Sequence, residues 1–372
     1  MRIAFFTGAY NHIADGVSLT LNRLVAFLMG EGAIVRVYAP TTQYPALNHA
    51  GTLVPVPSMS APGRPEYRFS LGFGWKAHED LTEFSPHLFH IATPDLLGIS
   101  ALREAKSSAT PVVASYHTHF ASYLKYYRLQ ALEPATWAYL RWFYGQCRQV
   151  YVPSQSMMDV LRKQGIDDNL LLWPRGVDSA LFSPARRSDQ WRQANGIEAA
   201  EPVVTFVSRL VMEKGLDVFA DVSRILSSKG IHHRAVVIGE GPERTRLEEL
   251  LPAALFLGHI SGDSLATAYA SSDIFLFPSD TETFGNVTLE ALASGLPVVA
   301  ADATGSNALV QDGVNGFLAP PRNSQAFAEK VERLVIGSGL RAKMAVNARA
   351  SAEAYDWSRV LAQMVAYYEQ AF

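Results

Sequence analysis

Short apolar runs, each closed by turn residues, recur along the chain and alternate with longer stretches whose apolar positions repeat at helical spacing. The runs predict strands at Ile3 to Thr7, Ile34 to Ala39, Leu88 to Ile91, Val112 to Tyr116, Gln149 to Pro153, Val203 to Ser208, Arg234 to Ile238, Leu255 to Gly258, Ile274 to Pro278 and Pro297 to Ala301. VVTFVS, RAVVIG, IFLFP and PVVAA are apolar at successive positions, the pattern of a parallel strand covered by helices on both faces. Strand and helix in alternation predict an α/β architecture of doubly wound type.

The strand series restarts. After PRGVDSALFSP comes the polar stretch ARRSDQWRQANGIEAAEP, and a fresh strand begins at Val203, so two domains are expected, 1–180 and 181–357. The terminal segment at about 358–372 carries Val360, Leu361, Met364, Val365 and Tyr368 at helical spacing. It is read as an amphipathic helix that either ends the second domain or packs back on the first. A chain of 372 residues accommodates two domains at roughly 150 residues each.

Composition narrows the class. With 48% hydrophobic against 18% charged residues, the chain has enough apolar material for globular cores. The net charge of -3 gives no general attraction to nucleic acid, so no nucleic-acid partner is expected. Residues 1–180 hold 15 basic and 13 acidic side chains and the remainder 17 and 22, which makes the first half the better one to meet an anionic surface. The one cysteine, Cys147, fits a reducing compartment and excludes a multi-cysteine metal site. MRIAFFTGAY reads as a first strand rather than a signal peptide, and no run reaches the ~20 apolar residues that span a bilayer. The expected location is the cytoplasm, with the inner face of the cytoplasmic membrane as a candidate.

Chemistry concentrates in IFLFPSDTETFGNVTLEALASGLPVVAA, Ile274 to Ala301. A buried strand ends at Pro278, a polar loop follows, and a helix opens near Asn286 and stops at Gly295 with Pro297 beyond. The loop thus lies at the carboxyl end of a parallel strand and leads into a helix N-terminus, a place for an anion such as phosphate. Glu282 and Glu290 flank it, and two carboxylates beside an anion are useful if they accept hydrogen bonds from hydroxyls, as a sugar would supply. In FVSRLVMEKGLDVF, Arg209 and Lys214 follow the strand at Val203 and are the cations to offset a diphosphate. The loop GEGPER places Gly241 and Pro242 where a flat base can approach the backbone. The first turn, TGAYNHIADGVS, lacks the glycine fingerprint of dinucleotide-dependent oxidoreductases, which disfavours that alternative.

RLVMEKG, GEGPE, ETFGNVTLE and ASGLPVVA together resemble the nucleotide-sugar domain of retaining GT-B glycosyltransferases of family 4, and ADGVSLTLNRL, SYHTHF and PRGVD resemble its N-terminal half. The resemblance is nearest to the branch that glycosylates membrane lipids, the α-mannosyl- and sulfoquinovosyl-diacylglycerol-type transferases. It implies two Rossmann-like parallel-sheet domains facing across a cleft, and transfer with retention from a UDP- or GDP-sugar to a lipid or lipid-linked hydroxyl. No cofactor or metal is implied. It further implies that Glu290 holds the ribose and Glu282 the donor sugar. Backbone at Thr283, Phe284, Gly285, Asn286 and Val287 would lie beside sugar and diphosphate, with Arg209 and Lys214 on the leaving diphosphate. Gly16, in the loop after the first strand, would admit the phosphates and His117 would position the sugar. Two departures stand out: Thr283 replaces a common Gly, and TGSN at Thr304 replaces paired glycines. A soluble or polysaccharide acceptor, or a non-catalytic sugar-nucleotide-binding subunit, are the alternatives.

The segment 120–148 interleaves aromatics with basic residues, including Lys125, Tyr126, Arg128, Trp137, Arg141 and Trp142. It is a candidate for peripheral membrane or acceptor contact. The competing reading is a helical pair with its aromatics turned inward.

Overall fold

The computed structural model describes residues 1–61, 64–117 and 130–372. The chain forms two compact units, Met1–Pro174 with Val360–Phe372, and Arg175–Arg359.

In the first unit the strands are β1 (Arg2–Phe6), β2 (Ile34–Ala39), β3 (Thr52–Pro55), β4 (Ser58–Ala61), β5 (Arg64–Ser70), β6 (Leu88–Ile91), β7 (Val112–Ser115), β8 (Gln149–Val152) and β9 (Leu170–Leu172). Seven of them make one parallel sheet in the order β3-β2-β1-β6-β7-β8-β9, while β4 and β5 pair as a separate antiparallel hairpin. The second unit holds β10 (Val203–Val207), β11 (Arg234–Ile238), β12 (Leu255–Gly258), β13 (Ile274–Phe277), β14 (Val298–Ala301) and β15 (Gly316–Ala319), all parallel, in the order β12-β11-β10-β13-β14-β15. Both sheets are doubly wound. In each, the chain runs outward from a central strand and returns on its other side, which opens a crevice at the carboxyl ends of the two strands that flank the reversal. These pairs are β1 and β6 in one unit, β10 and β13 in the other.

The central strands are all legible from the apolar runs, as is the edge strand β12; all five positions of β10 and all four of β13 and β14 are buried. The strands absent from that reading are β3, β9 and β15, which are short and lie at sheet edges, and the polar hairpin β4–β5. An edge strand needs fewer apolar positions and is kept short, so its pattern fades.

The helix Trp357–Gln370 brings its apolar side onto the first unit from residue 360 onward. Tyr367 stacks on Tyr151 with ring centroids 5.8 Å apart, and Arg148 donates to the carbonyls of Ala371 and Phe372 at 2.8 and 3.0 Å. The Tyr368 hydroxyl lies 2.5 Å from Nδ1 of His90, whose Nε2 pairs with Ser115 at the end of β7. His90 is fully buried, and burial pushes its pKa down from 6.5 to about 3. The unfolded chain therefore holds an extra proton between those values, and stability is lost as pH falls from 6.5 toward 3, by ~1.4 kcal/mol per pH unit for this group. Urea unfolding of wild type and His90→Phe across that window is expected to give a shallower acid limb in the variant. Equal slopes would place the loss elsewhere.

Candidate functional site

In the second unit the loops after β10 and β13 meet at the switch point. Gly215, at φ +73, opens the helix Leu216–Ser228, and a Cβ there would stand 2.8 Å from the Pro278 carbonyl oxygen. Only glycine both adopts this left-handed turn and lets the segment bearing Lys214 lie against the end of β13. Lys214 Nζ then forms an ion pair with Glu282 Oε1, and Ser279 Oγ donates to the same oxygen at 3.2 Å. Both side chains keep about one-fifth of their surface exposed, 18% and 20%, so the pair is less screened than one on open surface and still reachable by a ligand.

A third loop, after β14, fixes Glu282 from behind. Thr304 Oγ1 donates to the Glu282 carbonyl at 2.8 Å, and a Cβ on Gly305 would fall 2.4 Å from Glu282 Cβ and 2.7 Å from its carbonyl oxygen. TGSN thus keeps one glycine where the close approach demands it, and uses the threonine as a hydrogen-bond donor.

The GEGPER loop after β11 clamps the backbone on either side of Arg209. Cβ atoms at Gly239 and Gly241 would stand 1.9 Å from the Ser208 carbonyl oxygen and 2.2 Å from that of Leu210. The Leu210 amide donates to the Glu240 carbonyl at 2.9 Å, and the Glu243 amide to the Leu210 carbonyl at 3.1 Å. The backbone is held while the Arg209 side chain is exposed; Pro242 is exposed too. An arginine anchored at its root, with its side chain exposed, suits an anionic ligand.

The helix Asn286–Ala293 starts behind Gly285, which caps it at φ +97, and its first amides face the same loop. Phe284 is buried edge-on against Tyr355, centroids 5.7 Å apart, and pins the turn, while Thr283, Asn286 and Val287 are half-buried. One turn into the helix, Glu290 is partly buried and accepts from the Tyr269 hydroxyl at 3.3 Å; the same hydroxyl donates to the Val287 carbonyl at 3.2 Å. Burial, then the Glu290 charge, hold the Tyr269 pKa well above its usual value, so it is a hydrogen-bond donor at every working pH.

In the first unit two positions differ from the sequence reading. Gly16 is not in the loop after β1 but is the first, exposed residue of the helix Gly16–Gly30, behind Asp15, whose carboxylate takes the amides of Val17 and Ser18. The Asp-Gly-x-Ser order makes a capping box, and a helix starts as soon as its cap is supplied. Trp137 is buried with Leu140, Phe143 and Tyr144 and donates to Glu133 at 3.4 Å, so it belongs to the core and not to a membrane or acceptor surface. Arg141 and Trp142, on the outer side of the same helix, are exposed, Arg141 donating to the Gln164 carbonyl at 3.1 Å. His117 lies two residues past β7, buried, its ring 5.7 Å edge-on from Trp173. Lys125, Tyr126 and Arg128 lie outside the described residues.

Ser279, Thr304, Gly305 and Tyr269 were not singled out as contacts in the sequence. Thr304 and Gly305 carried a signal, as part of the TGSN departure after the strand Pro297 to Ala301; Ser279 and Tyr269 act through hydrogen bonds that no spacing announces. Among the described residues no three or more His, Cys, Asp or Glu side chains group as metal ligands, and no helix is long and apolar enough to cross a membrane.

Residues 14–181 match the family model described as Glycosyltransferase Family 4, and residues 187–351 that of Glycosyl transferases group 1. A GDP-mannose-dependent alpha-mannosyltransferase of Mycolicibacterium smegmatis is 32% identical over 382 residues, covering 99% of this chain and 97% of that protein. An alpha-monoglucosyldiacylglycerol synthase of Streptococcus pneumoniae is 27% identical over 334 residues, 86% of this chain and 75% of its own. Among solved structures, a sucrose-phosphate synthase from Thermosynechococcus elongatus superposes with a TM-score of 0.82 at 20% identity, over 99% of this chain and 98% of that one. Two doubly wound parallel sheets, each with its own switch point, make a GT-B fold, and the family models and relatives make the chain a glycosyltransferase. Within that class the chain belongs to glycosyltransferase family 4. Membership removes the oxidoreductase and non-catalytic readings.

Proposed function

We propose that the protein is a retaining, metal-independent transferase that moves a sugar from a nucleotide-diphospho-sugar, UDP- or GDP-linked, to a hydroxyl of a lipid or lipid-linked acceptor. The observation that carries this reading is the meeting of Lys214 with Glu282 where the loops after β10 and β13 converge, with Arg209 clamped on the same edge. As the glycosidic bond to the diphosphate breaks, negative charge grows on the leaving phosphate, and two cations and a helix N-terminus provide preorganised compensation. No metal is required for that charge balance. Glu282 and Glu290 take sugar and ribose hydroxyls. The acceptor oxygen bonds the anomeric carbon on the face that the diphosphate leaves, and its proton passes to the departing phosphate oxygen, which keeps the anomeric configuration. His117 positions the sugar, and the amides opening the helix at Gly16 approach the phosphates.

The lipid acceptor is favoured because a relative that matches most of the chain is named for a diacylglycerol product. The exposed Arg141 and Trp142 fit peripheral contact with the inner face of the cytoplasmic membrane. Cys147, whose thiol burial pushes up to about 12, is an inert core residue that suits a reducing compartment. A thermal-shift panel of UDP- and GDP-sugars tests the donor: a ligand at 100 times its Kd adds ~2.7 kcal/mol of stability and raises Tm. A panel in which no nucleotide sugar moves Tm would sink the reading.

A further inference from the structure

The first unit has a cavity of about 390 Å³ at the carboxyl end of β6, within the range of small-molecule sites. Its floor is Ser70 and Asp95, and its walls are Phe69, Leu96, Ile99 and Tyr139. Phe69 and Leu96 stand 58% and 55% exposed at its edge. Met59, directly across the hairpin from Phe69, and Leu71 extend the apolar surface. Such clustering is uncommon on a surface that meets only water. From Tyr139 the surface continues to the exposed Trp142, three residues on along the same helix, with ring centroids 5.9 Å apart.

The polar atoms of the lining are already engaged. Ser70 Oγ donates to Asp95 Oδ2 at 2.8 Å, Asp95 Oδ1 takes the Gly98 amide at 2.9 Å, Tyr139 donates to the Pro94 carbonyl at 2.8 Å, and the Leu96 carbonyl accepts from Ser100 at 2.8 Å. Among the described residues no cation lines the cavity, and a carboxyl group lies at its base, which disfavours a phosphate or other anionic head group. A hydrocarbon chain asks for no hydrogen bond and gains by leaving water.

We propose that this cavity receives an acyl chain of the acceptor lipid, laid between Phe69, Leu96, Ile99 and Tyr139. The inference rests on the lipid-acceptor reading above and adds where, on the first unit, the lipid's apolar part is held. Burial raises the Asp95 pKa above its ordinary value, against the hydrogen bonds from the Gly98 amide and Ser70 that favour its charged form.

The test uses the full chain in neutral-detergent micelles with a diacylglycerol that carries a diazirine in one acyl chain. Photolysis and peptide mapping are expected to find adducts at 69–71, 94–99 and 139, competed by unlabelled diacylglycerol. Labelling should fall about tenfold or more in Leu96→Glu, where a charge enters the wall at a half-exposed position and circular dichroism is expected to show the fold intact. Adducts confined to other apolar surface such as Trp75, no competed adducts at all, or undiminished labelling of Leu96→Glu would overturn the assignment. The donor reading fails separately: a silent nucleotide-sugar thermal-shift panel with adducts still mapped to the cavity would leave the acyl groove standing and remove the transferase chemistry.

Discussion

Arg209→Ala and Lys214→Ala each lower turnover by ~10²–10³ while the enzyme stays folded, the loss typical of removing one preorganised donor from a site where charge develops. The Arg209 side chain is exposed and the backbone on either side of it is held by the glycine loop after β11, so truncation removes an exposed charged head. Lys214 contributes a partly exposed ion pair, worth about 1 kcal/mol or less to folding, so Tm should move by only ~2–4 °C. Arg224→Ala is the control: an exposed arginine whose ion pair is with Asp221 on its own helix. Initial rates with saturating donor, beside thermal melts of all three variants, decide the matter. If both site variants turn over near the wild-type rate, charge on the leaving group is balanced by other residues and the mechanism proposed above is wrong.

Gly305→Ala is expected to lower kcat/KM by ~10²-fold, although the substitution adds one methyl group and touches no substrate. Its Cβ would stand 2.4 Å from Glu282 Cβ and 2.7 Å from the Glu282 carbonyl oxygen, closer than real contacts allow. Backbone cannot yield cheaply on either side, because β14 is central to the core and the Glu282 carbonyl is held by Thr304. The loop after β13 must therefore shift, and a displacement of about 1 Å at a residue that grips substrate is enough for such a loss. Gly339→Ala, where an added Cβ meets nothing within 4 Å, is expected to leave the rate unchanged. The two variants differ only in what surrounds the new methyl group. Wild-type kinetics in Gly305→Ala would mean that the position of Glu282 is not critical.

Much of the architecture was legible because buried parallel strands write themselves as unbroken apolar runs: VVTFVS became β10, IFLFP became β13 and PVVAA became β14. The edge strands β3, β9 and β15, of three or four residues each, were not, although the edge strand β12 was. Helix punctuation was equally plain around Asn286–Ala293, with Gly285 before and Gly295 after. Trp137 shows the limit of such patterns. Aromatics among basic residues look alike whether they face lipid or core, and only the packing of the helix Glu133–Tyr144 turned Trp137 inward and Trp142 outward.

The sequence by itself determined two doubly wound sheets and the residue types at the carboxyl ends of their strands, because burial pattern and turn chemistry are local and every strand carries its own record. Which of those residues touch was decided by tertiary structure alone. Lys214 reaches Glu282 across 68 positions of chain, and Glu282 is braced by Thr304 from yet another strand end, because the order reversal at β10 and β13 brings separate loops to one edge. That juxtaposition is a property of strand order and of glycines too small to keep the loops apart, and no window along the chain contains it.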